Sequence, residues 1–128
     1  MTYNVWNKWD KLNTVMLGDC YGPEFFRDIK NDKIKSALQR IAVETQEDLE
    51  NLYRILKEFG CKVLRPKLEY TDSIINYTDH KGKITSIPRA PLQPRDCQLV
   101  VGNELLYTAE DHRAISTALT EYNKNFSY

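Results

Sequence analysis

The chain has 128 residues, enough for one domain with a real but modest core. Its 18 basic and 18 acidic residues cancel to a formal net charge of +0, and no face-sized basic run exists to attract a nucleic-acid backbone. With 41% hydrophobic and 28% charged residues the composition is that of a globular protein, and no apolar stretch approaches membrane-spanning length.

In chain order, Thr14-Val15-Met16-Leu17-Gly18 is a short apolar run ending in glycine. It predicts a buried strand, broken afterwards at Gly22-Pro23. Lys30 to Lys35 is rich in lysine but balanced by Asp28 and Asp32, so it reads as a solvated helix start. Leu38, Ile41, Ala42, Thr45, Leu49, Leu52, Leu56 and Phe59 then recur at steps of three and four. That spacing predicts one apolar face on a helix from about Lys33 to Phe59. Asn31 or Asp32 can cap its start, and Gly60 can end it in the left-handed conformation. Glu44, Glu47, Asp48, Glu50 and Glu58 fall on the other, solvated face. Cys61 to Arg65 follows as a strand and stops at Pro66. Strand, long helix and strand in this order make a crossover that normally joins parallel strands.

Lys67 to Pro94 is weakly periodic, with short extended pieces at Ile74 to Thr78 and Ile84 to Ile87 around a polar turn holding His80. Pro88, Pro91 and Pro94 favour an extended path. So long a connection is usually functional or mobile. Leu99 to Val101 and Leu105 to Tyr107 flank Gly102-Asn103, a strong two-residue hairpin signal because such a turn needs positive φ. Asp96 therefore stands where a strand begins, just after a proline-rich loop, and a carboxylate held there can bind a cation. A last helix starts near Ala109-Glu110-Asp111, with Ile115, Ala118, Leu119 and Tyr122 on one face. No linker or internal repeat divides the chain, so residues 1–128 form a single domain.

Cys20, Cys61 and Cys97 are an odd, widely spaced set. The absence of Cys-x-x-Cys excludes a zinc ribbon or a thioredoxin motif. No metal or other cofactor is implied. The three thiols read as reduced, small buried apolar groups in a cytoplasmic protein. The N-terminus has no apolar core of signal-peptide type.

Three pieces carry a resemblance. Trp9-Asp10-Lys11-Leu12-Asn13-Thr14-Val15-Met16-Leu17-Gly18 resembles the Trp-Asp-x-Leu-x-x-Val-x-x-Gly opening of the glycine (arginine) amidinotransferase family. Phe59-Gly60-Cys61-Lys62-Val63 is similar to that family's helix end and second strand. Pro94-Arg95-Asp96 through Gly102-Asn103-Glu104-Leu105-Leu106 looks like its Pro-Arg-Asp hairpin, the most specific of the three. The resemblance spans nearly all of this chain but only the N-terminal third or so of a full enzyme. It implies an α/β chain of the pentein superfamily, related to the arginine deiminases: a fragment of a β/α propeller, whose modules surround a central substrate channel. Trp-Asp together with Pro-Arg-Asp favours the transferase branch over a deiminase-like hydrolase.

Amidino transfer moves the guanidine carbon of arginine to an amine such as glycine. The guanidinium is planar, charged and forked, so it is held by carboxylates that accept paired hydrogen bonds. A thiolate attacks its carbon, and a general acid releases the leaving amine. By the resemblance, Asp96 matches the family's guanidinium-binding aspartate. Its alternative is a turn-closing Asp bonded to nearby backbone N–H groups. Arg95 supports the loop, and Asp19 lies where the channel rim should be. The family's His-x-Asp segment and nucleophilic cysteine fall on later modules. His80 and His112 are not followed by Asp at the second position. A home-made pair of Cys97 with His112, or a nucleophile at Cys20, has no supporting motif. The expectation is thus an amidinotransferase-like protein inactive alone, with three explanations open: a genuine short gene, one piece of a split enzyme whose missing modules sit on a separate chain, or a truncated sequence. A small interaction or regulatory protein is the competing class. Faces that neighbouring modules would cover favour a homo-oligomer, most simply a two-fold dimer.

Overall fold

A computed structural model describes residues 3–67, 74–78, 81–82, 84–88, 90–107 and 113–124 of the chain. Strand β1, Thr14–Met16, leads through a 3-10 turn, Pro23–Phe26, into the long helix α1, Asp32–Glu58. Strand β2, Lys62–Leu64, then returns parallel to β1, with Thr14 opposite Lys62, Val15 opposite Val63 and Met16 opposite Leu64. The strand–helix–strand reading of the sequence is therefore a crossover between paired parallel strands.

The ends of α1 follow from local chemistry. The Asn31 side chain accepts from the backbone N–H groups of Lys33 and Ile34, each at 3.1 Å. That cap contributes about 1 kcal/mol. At the other end Gly60 adopts φ 84°, which a side chain would resist. Its N–H donates to the Lys57 carbonyl at 2.9 Å, and the Cys61 N–H reaches back to Leu56 at 3.0 Å. This paired closure satisfies carbonyls the helix would otherwise leave open, and it aims the chain straight into β2.

Two antiparallel hairpins follow. Strands β3, Ile74–Thr78, and β4, Ile84–Pro88, pair across the polar turn. Strands β5, Gln98–Val101, and β6, Glu104–Tyr107, pair across Gly102-Asn103. Positive φ falls at Gly102, 60°, and not at Asn103, the pattern of a turn with glycine first. Gly102 also exchanges two backbone hydrogen bonds with Val5, of 2.8 and 2.6 Å, which lays the N-terminal segment along the hairpin. Helix α2, Arg113–Lys124, closes over it. Ile115, fully buried, packs with Cys97 and Leu119, and Tyr3, Met16 and Leu105 border them. This small core joins the end of β1 to the second hairpin. Ala109, Glu110, Asp111 and His112, where the sequence suggested the helix start, lie outside the described residues, as does His80.

The predicted face of α1 divides in two. Ala42 and Leu49 are buried against β2 and the Pro23–Phe26 turn, with Leu38 and Leu56 half-buried beside them. Ile41, Leu52 and Phe59 are exposed. The helix is wider in apolar surface than the two-stranded sheet beneath it.

Candidate functional site

Parallel strands β1 and β2 end on the same side, and open α/β sheets bind ligands outside the carboxyl ends of their strands. Three features converge there. Arg65 leaves β2 directly, Asp19 stands three residues past β1, and the chain leading to Asp96 passes across the end of β1.

The crossing depends on Gly18. A Cβ there would stand 2.0 Å from the Leu92 carbonyl oxygen and 2.5 Å from that of Pro91. With hydrogen in its place, the two backbones touch, and the Asp19 N–H donates to the Pro91 carbonyl at 3.0 Å. The glycine that ends the Trp-Asp motif is thus explained by close approach of the proline-rich segment.

Beyond this contact the chain makes a 3-10 turn, Pro94–Asp96, rather than entering a strand at once. The Asp96 N–H donates to Gln93 at 3.1 Å and the Cys97 N–H to Pro94 at 3.0 Å. The turn presents Asp96 outward, in an open hollow of about 530 Å³ lined by Met16, Gln93, Pro94, Arg95 and Asp96. The next residue, Cys97, points the other way and is 1% exposed in the core. Arg95 shares the hollow with Asp96, as their adjacency suggested. Gln98 is buried too. Its side-chain nitrogen donates to Ser116 Oγ at 2.8 Å, which ties β5 to α2 beneath the turn.

Asp19 occupies a separate hollow with Gln46, Glu50 and Arg65. The Arg65 guanidinium donates from Nη2 to Asp19 Oδ1 at 3.2 Å and from Nη1 to the Glu50 carboxylate. Its carbon lies 5.9 Å from the centre of the Tyr53 ring, within range of a cation–π contact. Asp19 Oδ1 also accepts the Cys20 N–H at 2.9 Å. Asp19 therefore already holds a guanidinium, the chain's own. Glu50 stays exposed on the acidic face, as expected, and its carboxylate also reaches Arg65. Sequence reading missed this cluster. The available signal was a pair of opposite charges, each just past the carboxyl end of one of two parallel strands.

The cysteines are poor nucleophiles where they stand. Cys61 is buried, with its thiol 3.4 Å from the Leu12 carbonyl. Cys20 is half-buried rather than buried, and burial pushes its thiol pKa up. Asp19 adds to the shift and Arg65 opposes it. None of the three is in a disulfide. Among the described residues no three of His, Cys, Asp and Glu gather as metal ligands, and no helix is long and apolar enough to cross a membrane. A further cleft, of about 320 Å³, runs between the parallel strands and the second hairpin, with Tyr3, Val5, Met16, Leu64, Val100 and Leu119 along it.

No protein-family profile matches the chain, and no curated protein matches it. Among solved structures it is similar to an inosamine-phosphate amidinotransferase from Streptomyces griseus, at 25% identity and a TM-score of 0.64. The fold is amidinotransferase-like. The similarity covers 98% of this chain and 41% of that one, so this chain spans less than half the length of the enzyme it matches.

Proposed function

We propose that the chain serves amidino transfer by gripping a guanidinium, with Asp96 as the carboxylate that accepts its paired hydrogen bonds. The observation that carries this reading is the outward presentation of Asp96 on a backbone-locked turn, beside a hollow, on an amidinotransferase-like fold. The substrate class is a guanidino compound such as arginine, and the acceptor is an amine such as glycine. Arg95 and Met16 shape the hollow. Asp19 stays engaged with Arg65 and braces the loop through Pro91 instead of meeting substrate.

The chain binds but does not complete the transfer. Attack on a guanidine carbon needs a thiolate, and here burial keeps Cys61 and Cys97 from solvent while Cys20 is held protonated. A separate chain carrying an activated cysteine and a histidine acid completes the reaction in this reading. Cysteines outside any disulfide fit a reducing, cytoplasmic setting. A purely regulatory module is the second reading, favoured by the same protected thiols.

Titration calorimetry with arginine tests the grip. Asp96→Asn removes a charged acceptor and should weaken binding about 10- to 100-fold, from about 1.5–3 kcal/mol for a charge-assisted hydrogen bond. Equal affinity for arginine in the two proteins, or no heat of binding in either, refutes the proposal. An ornithine-release assay with arginine and glycine, on this chain alone and mixed with a candidate partner chain, separates the split enzyme from the regulatory module.

A further inference from the structure

Apart from Val43, the exposed large apolar residues of α1 and its cap Phe59 lie in one regular row, which half-buried Leu38 and polar Thr45 and Asp48 complete. Ile34, Leu38, Ile41, Thr45, Asp48, Leu52, Ile55 and Phe59 follow one another at steps of four, three, four, three, four, three and four. That seam has heptad spacing over the whole helix, apolar at both ends and polar at Thr45 and Asp48 in the middle. Ile34, Ile41, Leu52, Ile55 and Phe59 are 51%, 57%, 44%, 47% and 79% exposed. The row beside the seam, Ala42, Leu49 and Leu56, is the one that packs on the chain's own body. Leu38 is half-buried between the two rows, while Ile34, Ile41, Leu52, Ile55 and Phe59 are left uncovered by the chain's own packing.

Two features of the seam say what covers it. First, it is self-complementary when reversed. Antiparallel pairing about the middle of the helix sets Ile34 against Phe59, Leu38 against Ile55, Ile41 against Leu52 and Thr45 against Asp48, each layer occurring twice. Large apolar residues meet at both ends and polar ones at the centre. Second, charge is segregated along the helix. Four of the five charged residues between 30 and 40 are basic, and five of the seven between 44 and 58 are acidic. Reversal lays the basic half of one helix along the acidic half of the other and opposes the two helix dipoles. Parallel pairing would set like charges side by side.

We propose that α1 is the interface of a two-fold homodimer, in which two copies pack these seams antiparallel in that register. The exposed seam side chains offer on the order of 500 Å² per copy, so the buried total falls at the low end of specific interfaces. The dimer is accordingly reversible with concentration. The central Thr45–Asp48 layers cost affinity and enforce the register, as a polar residue in a coiled-coil seam does. The interface leaves the Asp96 hollow free and does not depend on what that hollow binds.

Sedimentation velocity over a wide concentration range tests the association. The wild-type chain should pass from monomer to dimer and no further. Leu52→Lys should remain monomeric with an unchanged circular-dichroism spectrum. Disulfide trapping then tests the register, in a Cys20→Ser background. Ile41→Cys and Leu52→Cys chains, mixed and oxidised, should give a covalent dimer, and either alone should not, because like positions lie about 16 Å apart along the antiparallel pair. A wild-type chain that stays monomeric throughout, a Leu52→Lys chain that dimerises as before, or trapping by the single variants would each overturn the proposal.

Discussion

Replacing Gly18 with alanine adds one methyl group at the point where two backbones touch. No positive φ is involved at this position, so alanine fits the local conformation and the effect is purely steric. The new carbon would stand 2.0 Å from Leu92 O, where ordinary contact needs well over 3 Å. Both nearest obstacles are backbone carbonyls, which cannot swing aside as a side chain tip can. The proline-rich segment must retreat by more than an ångström, and the 3.0 Å bond from the Asp19 N–H to Pro91 breaks. Overpacking costs about 2 kcal/mol and the lost hydrogen bond about 1 kcal/mol more. For a chain of 128 residues, about 3 kcal/mol lowers the melting temperature by about 10 °C. Gly60→Ala is the control. There the added carbon meets nothing within 4 Å, but φ is 84°. Backbone strain alone should cost about 1 kcal/mol, or about 4 °C. Thermal melts followed by circular dichroism, with hydrogen exchange at the Asp19 amide, measure both. If Gly18→Ala melts within about 2 °C of wild type and the Asp19 amide stays protected, the close-approach argument is wrong.

Removing the Arg65 guanidinium with Arg65→Ala leaves Asp19 and Glu50 facing each other without their shared cation. We expect a loss of about 1–2 kcal/mol in urea unfolding, shrinking at high salt because Glu50 is exposed. Arg65→Lys should recover only part of it, since an ammonium cannot fork between two carboxylates, and full recovery would show that the fork is irrelevant. Cys20 should alkylate slowly at neutral pH in the folded chain, since burial and then Asp19 favour its neutral thiol. Asp19→Asn should speed iodoacetamide labelling and Arg65→Ala should slow it, and the reverse order would contradict the assigned causes. Because the folded thiol pKa is raised, its contribution to stability is complete below the ordinary thiol range and fades as pH climbs through the raised value.

Much of the scaffold is legible in local chemistry. Asn31, the three-four periodicity and Gly60 delimit α1 almost to the residue, because caps and periodicity act within a few residues of chain. Gly102-Asn103 likewise sets the second hairpin, whereas Asp96 and Cys97, exposed and buried in turn, belong to a 3-10 turn and its cap and not to the extended strand their order suggested. The site is only half legible. Asp96 and Arg95 are adjacent, so their shared hollow follows from their order. Asp19, Glu50 and Arg65 are separated by 31 and 15 residues, and only the parallel crossover brings them together.

Periodicity established that α1 is apolar along one broad stripe, because helical spacing places those side chains on one side whatever surrounds them. It could not say which row of that stripe the chain covers for itself. That depends on the width of the sheet beneath, a property of strand pairing between distant segments. The same holds for Gly18, whose position in the motif is plain in the sequence and whose reason is a carbonyl 74 residues further along the chain. Local interactions are written in neighbouring residues, while packing between distant segments exists only once the chain has closed on itself.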